Sequence, residues 1–142
     1  LHRLADGSLT SLLDQPVWID GAHNAHGAAA LAAALPSIDK GNWHFICGAL
    51  NTRPASEFLS RIAPLAESIH CVTIPDQPAS LTAETLAAEA ATLHTGARAA
   101  SSVAGALQAI ASGSVGADRP VMICGSLYLA GHVLAANGTL PD

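Results

Sequence analysis

The chain has 142 residues, the length of one domain, and half of them are hydrophobic, mostly small aliphatic side chains with few aromatics. Its formal net charge is −5, and its six basic residues, Arg3, Lys40, Arg53, Arg61, Arg98 and Arg119, are scattered singly, which leaves no basic stripe for nucleic acid. No apolar run approaches the roughly 18 residues that a membrane span requires. Cys47, Cys71 and Cys124 are odd in number and contain no C-x-x-C pair, so they read as reduced, buried thiols of a cytoplasmic protein. No signal peptide is visible, and with Leu1 first and Met122 the only methionine the chain reads as a piece of something longer.

Residues 1–15 alternate polar and apolar side chains around Asp6-Gly7, a turn signal, and are predicted to be a linker with a short hairpin. Strand and helix then alternate. Residues 17–19 form a β-rich run, and the Ala-rich stretch 28–35 is a helix halted by Pro36. A second strand covers 44–47 and ends at Gly48. Residues 55–67 carry Phe58, Ile62 and Leu65 at helical spacing, with Pro64 as a kink or early stop. A third strand runs over 69–74, closed by Pro75. Thr82 is an N-cap for a helix to about Leu93, with Glu84 in its first turn. A short strand at 97–100 precedes a helix capped by Ser101 or Ser102 and running through Ala111. Residues 121–124 are a buried strand, and 127–136 the closing helix, ended by Asn137-Gly138.

That alternation predicts an α/β fold: a Rossmann-like, mostly parallel sheet flanked by helices. In such folds ligands bind beyond the C-terminal ends of the strands. Three loops are singled out: 20–24, 48–54 and 125–128. In the first, Asp20 ends a strand, Gly21 and Ala22 turn the chain, and His23 and Asn24 open a helix. A strand-end carboxylate can accept the hydroxyls of a ribose, and His23 can donate to a phosphate or a carboxylate. The same residues also suit ordinary structural roles: Asn24 as a cap, Asp20 in a turn, the histidines solvated. Asp20, His23 and His26 also have metal-ligand types, without a fourth ligand nearby. In the last loop Gly125 lets a ligand approach the backbone, and Ser126 offers a hydroxyl at a helix N-terminus, where the dipole favours an anion. The plainer reading of that stretch is a capped helix with Leu127, Tyr128 and Leu129 in the core.

Asp20-Gly21-Ala22-His23-Asn24 after a short apolar strand, and Gly125-Ser126-Leu127-Tyr128-Leu129-Ala130-Gly131 after the last one, resemble the hallmark and closing motifs of one family. It is the folylpolyglutamate synthase/dihydrofolate synthase family of the Mur ligase superfamily, in its C-terminal domain. The stretch Gly48-Ala49-Leu50-Asn51-Thr52-Arg53-Pro54 is similar to a looser segment of that family. Ala25 stands where the family usually has Pro. Arg53-Pro54 stands where it has Lys-Asp, keeping the cation and removing the carboxylate. His132 stands where an acidic residue is common.

The resemblance implies a linker remnant at 1–15 and a ligase domain at 16–142. It implies a parent enzyme that uses ATP and Mg²⁺ to add L-glutamate to dihydropteroate or folates through an acyl phosphate. No Gly-x-x-x-x-Gly-Lys-Ser/Thr occurs here, so triphosphate, Mg²⁺ and pterin are assigned to an N-terminal ATPase domain, and this chain alone is expected to be inactive. By motif position Asp20 and His23 are the ATP-side residues, with His23 near the reacting groups, while Asn24, Arg53 and Ser126 hold glutamate carboxylates. No metal ligand is assigned to this chain. The alternatives are the C-terminal domain of a cell-wall amino-acid ligase, a stand-alone nucleotide-binding module, and a metal-dependent hydrolase built on Asp20, His23 and His26.

Overall fold

A computed structural model describes residues 1–113 and 116–138; residues 114–115 and 139–142 of the expected 16–142 domain lie outside it. Six strands form one sheet: β1 (His2–Arg3), β2 (Val17–Ile19), β3 (Trp43–Cys47), β4 (Ala66–Cys71), β5 (Ala97–Ala99) and β6 (Val121–Cys124). The helices are α1 (Ala25–Ala34), α2 (Ala55–Ile62), α3 (Ala83–Ala91), α4 (Val103–Ser112) and α5 (Leu127–Asn137). The spatial order is β1-β2-β6-β3-β4-β5. Every pair is parallel except β1 with β2. The sheet is thus mixed, mostly parallel and Rossmann-like, as expected.

The central strands β2, β3 and β6 are short and mostly apolar because both faces are covered. Alternate residues of β3 show the division. Trp43, Phe45 and Cys47 pack with Leu31, Leu59 and Leu86 of α1, α2 and α3. Ile46 joins Val121 and Ile123 of β6 against Leu107 of α4 and Leu129 and Val133 of α5. The helices begin where side chains can accept the first amides. Asn24 accepts from Gly27 N, Thr82 from Thr85 N, and Ser102, rather than Ser101, from Gly105 N.

Three expectations need correction. The predicted helix over 55–67 ends as α2 at Ile62, a 3-10 turn follows at Ala63–Leu65 around Pro64, and β4 already starts at Ala66. The third strand therefore lies at Ala66–Cys71, three residues earlier than predicted. Its inner positions Ser68 and His70 are polar yet buried, which hides the strand from a hydrophobicity pattern. Residues 1–15 form no hairpin of their own. His2 pairs with Ile19 in β2, while Leu4, Leu9 and Leu13 are buried in the second core cluster. Asn137, predicted only as a helix end, fastens this segment: its Oδ1 accepts from Leu9 N and Thr10 N at 3.0 and 3.1 Å, and its Nδ2 donates to Ala5 O at 2.9 Å.

Candidate functional site

β6 lies between β2 and β3, so the chain returns from the β5 edge to the middle of the sheet. The three loops picked from the sequence leave the C-terminal ends of β2, β3 and β6, which are neighbours. Backbone bonds tie them together: Asp20 N donates to Ile123 O at 3.0 Å, Gly125 N to Ala22 O at 2.9 Å, and Gly48 N to Cys124 O at 3.3 Å. Gly125 has φ +111°, and a Cβ there would fall far inside van der Waals contact with the Gly48 carbonyl. Glycine is required at this point both by conformation and by space. At Gly21 a Cβ would meet only the far end of the exposed Leu127 side chain, which can move aside.

Between these loops opens a cleft with about 780 Å³ of space, part of it open to solvent. His23, Arg53 and Ser126, one from each loop, all line it. Ser126 is buried and caps α5: its Oγ accepts from Tyr128 N at 3.0 Å and Leu129 N at 3.4 Å. Arg53 is exposed at the entry to α2, whose N-cap position is Pro54, without a side-chain cap. His23 is exposed, its Nδ1 3.0 Å from Gly21 O. The N-termini of α2 and α5 therefore both open on a cleft that also holds a guanidinium, an arrangement suited to an anion such as a carboxylate.

Asp20 and Asn24 do not line the cleft. Asn24 Oδ1 is engaged as the α1 cap, accepting from Gly27 N at 2.8 Å. Asp20 Oδ1 accepts from Ala22 N at 2.7 Å, and its Oδ2 lies 2.8 Å from the nitrogen of Leu1. Its carboxylate keeps acceptor capacity beyond these two bonds, enough for the hydroxyls of a ribose. Among the described residues no three His, Cys, Asp or Glu side chains converge on a point.

The closing motif is not the core segment of its plainer reading. Leu129 is buried, but Leu127 and Tyr128 are 66% and 56% exposed. Sequence reasoning also missed the apolar wall of the cleft, Phe58, Leu59 and Leu86, whose helical spacing reads only as core. The floor carries Cys47, whose Sγ is 3.9 Å from that of Cys124. That contact, followed by burial, raises the Cys47 pKa well above the usual thiol range.

Residues 10–127 match the family described as Mur ligase, glutamate ligase domain. The chain belongs to this family. Among solved structures, this Mur ligase domain is similar to Mycobacterium tuberculosis folylpolyglutamate synthase complexed with ADP and AMPPCP. The two share 26% identity over 84% of this chain and 29% of that one, with TM-score 0.69. It is also similar to the bifunctional folylpolyglutamate synthase/dihydrofolate synthase of Yersinia pestis complexed with AMPPNP and Mn ion, at 25% identity over 85% and 28% of the two chains, TM-score 0.69. E. coli FolC in complex with DHPP and ADP shares the fold, at 24% identity over 93% and 31%, TM-score 0.69. The domain thus spans less than a third of these relatives' length. None of the curated proteins compared with it matches. Among the described residues, no helix is long and apolar enough to cross a membrane.

Proposed function

We propose that this chain is the amino-acid-binding domain of an ATP-dependent ligase that joins L-glutamate to dihydropteroate or a folate in the cytoplasm. The observation that carries the reading is the convergence of His23, Arg53 and Ser126, from three separate loops, on one cleft at the C-terminal edge of the sheet. A dicarboxylate amino acid needs a cation and oriented N–H and O–H donors, and these residues with the two helix starts supply them. The cytoplasmic placement rests on three buried free thiols, which suit a reducing compartment.

The division of labour follows from what the chain holds. Arg53 would grip a glutamate carboxylate with its planar fork. Ser126 would donate its hydroxyl proton to the same group, and His23 would sit beside the reacting carboxyl. Asn24, spent as a helix cap, acts by fixing the loop that carries His23 rather than by touching glutamate. Asp20 would accept a ribose hydroxyl on the far side of that loop. ATP, when bound, supplies the phosphoryl group that activates the acid to be joined. The triphosphate and Mg²⁺ would be held by an N-terminal ATPase domain of the same polypeptide.

The test uses that longer polypeptide, with amide formation measured while glutamate is titrated. Arg53→Ala should raise the KM for glutamate by about one to two decades, the loss of a charge-assisted hydrogen bond, and leave the ATP and folate dependences near normal. Arg53→Lys should recover part of it. An unchanged glutamate KM in Arg53→Ala would remove this residue from the site. No turnover with any folate, but turnover with a cell-wall precursor, would move the domain to that branch of the superfamily.

A further inference from the structure

The loop that carries Arg53 is fastened at two places. At its start Gly48 N donates to Cys124 O of β6. Further on it pairs with the turn that joins β4 to α3, although none of residues 74–82 borders the cleft. Leu81 N donates to Ala49 O and Asn51 N to Ala79 O, both at 2.8 Å. Leu50 and Ser80 thereby face each other in an antiparallel bridge, and Arg53 follows shortly after on the same loop.

One hydroxyl gives the turn its shape. Ser80 Oγ accepts from Ile74 N at 2.9 Å and donates to Leu81 O at 2.8 Å, joining the two ends of the turn. The backbone between them does not hold this shape by its own preference. Asp76 has φ +61°, a conformation that an L side chain adopts at a cost. Without the hydroxyl, the amide of the buried Ile74 loses its acceptor. The turn can then relax, and Ala79 and Leu81 carry their partners Asn51 and Ala49 with them. We infer that Ser80 is a positioning residue for the amino-acid site: it holds the turn that holds the Arg53 loop. This deepens the ligase reading, on which it rests, by adding a residue that touches no substrate. A guanidinium fork grips a carboxylate bidentately only from a narrow range of positions. A shift of its loop therefore weakens the hold on glutamate, while ATP, assigned to other loops, keeps its contacts.

The experiment has two arms. In the 142-residue chain, amide hydrogen exchange should find Asn51 and Leu81 protected. Ser80→Ala should speed exchange at both by at least about tenfold, and by more than at any amide of β3 or β6. In the longer ligase proposed above, Ser80→Ala should raise the KM for glutamate about three- to tenfold and leave that for ATP unchanged. Ser80→Thr, which keeps the hydroxyl, should restore it. Combined with Arg53→Ala, Ser80→Ala should add nothing further, because it acts through that arginine. Circular dichroism checks the fold; if Ser80→Ala does not fold, Ser80→Cys, which keeps the volume and weakens both bonds, takes its place in each arm. A serine that served only stability would lower the maximal rate through lost active enzyme and leave KM alone. That result would overturn the role, as would an effect fully additive with Arg53→Ala, or unchanged exchange at Asn51. An unaltered glutamate KM in Arg53→Ala would sink the glutamate reading and this role together. A raised KM in Arg53→Ala beside a normal one in Ser80→Ala would sink this role alone.

Discussion

Two polar regions of the molecule are built from similar residues and end differently. One is the cleft rim, with His23, Arg53 and Ser126. The other lies inside the sheet, where His44, Ser68 and His70 meet on β3 and β4. In the sheet the polar groups consume one another. The Gly116 carbonyl, 2.6 Å from His44 Nε2, can only accept, so Nε2 carries the proton. His44 Nδ1 then accepts from the Ser68 hydroxyl at 2.6 Å, and Ser68 Oγ accepts from His70 Nε2 at 3.1 Å. The run ends at His70 Nδ1, buried without a partner among the described residues. At the rim, by contrast, backbone geometry holds donors toward open space. A histidine or a serine is a candidate for binding where the fold leaves its capacity unspent, and a structural polar group where neighbours have used it.

The largest expected effect sharpens the contrast between a loop made tight for a site and a helix surface free of demands. Gly125→Ala puts a Cβ against the Gly48 carbonyl at φ +111°. It should cost on the order of 3 kcal/mol or more and pry apart the loops that bound the cleft. At Gly131, further along in α5, an added Cβ would meet nothing within 4 Å. Gly131→Ala should instead stabilise by about 0.5–1 kcal/mol through helix propensity. Thermal or urea unfolding of both variants checks this; equal effects would mean that the loops are not locked.

The closed cluster in the sheet makes the next prediction. Burial, then the Arg98 charge and then His44, lower the His70 pKa from 6.5 to about 4. Between those values the unfolded chain binds the proton and the folded one does not. Stability should therefore be full above pH 6.5 and fall as the pH drops toward 4, by roughly 3 kcal/mol in all. His70→Leu should flatten that part of the profile in urea titrations at stepped pH. A slope unchanged by the substitution would assign the acid sensitivity to other groups.

Legibility followed the same division. The strands at 17–19, 44–47 and 121–124 announce themselves, because strands covered on both faces are continuous apolar runs. β4 does not: Glu67, Ser68 and His70 dilute its pattern, and Ala63-Pro64-Leu65 continues helically for one 3-10 turn before the chain extends. The rim was readable because His23, Arg53 and Ser126 sit in loops at strand ends, where polar residues need a reason. The apolar wall was not readable, since Phe58 and Leu86 have the spacing of any core-facing helix, and only the fold shows that these buried side chains also border the cleft.

The smallest expected effect on stability tests the far side of the first loop, where structural and binding roles share one carboxylate. Asp20 Oδ1 accepts from Ala22 N and shapes the turn, so Asp20→Ala confounds the two roles. Asp20→Asn separates them. An asparagine oxygen can still accept from Ala22 N, while the charge that would hold a ribose hydroxyl is gone. The chain carrying Asp20→Asn should stay within about 0.5 kcal/mol of the unaltered one. In the longer ligase proposed above, the same change should raise the KM for ATP about tenfold and leave that for glutamate alone. Asp20→Ala should add a stability loss of about 1 kcal/mol for the unpartnered amide. If Asp20→Asn leaves the ATP dependence untouched while Asp20→Ala loosens the fold, Asp20 is a turn residue and the ribose must be held elsewhere. If both variants impair ATP use and only Asp20→Ala loosens the fold, the carboxylate serves the nucleotide with the lone pairs that the turn leaves free.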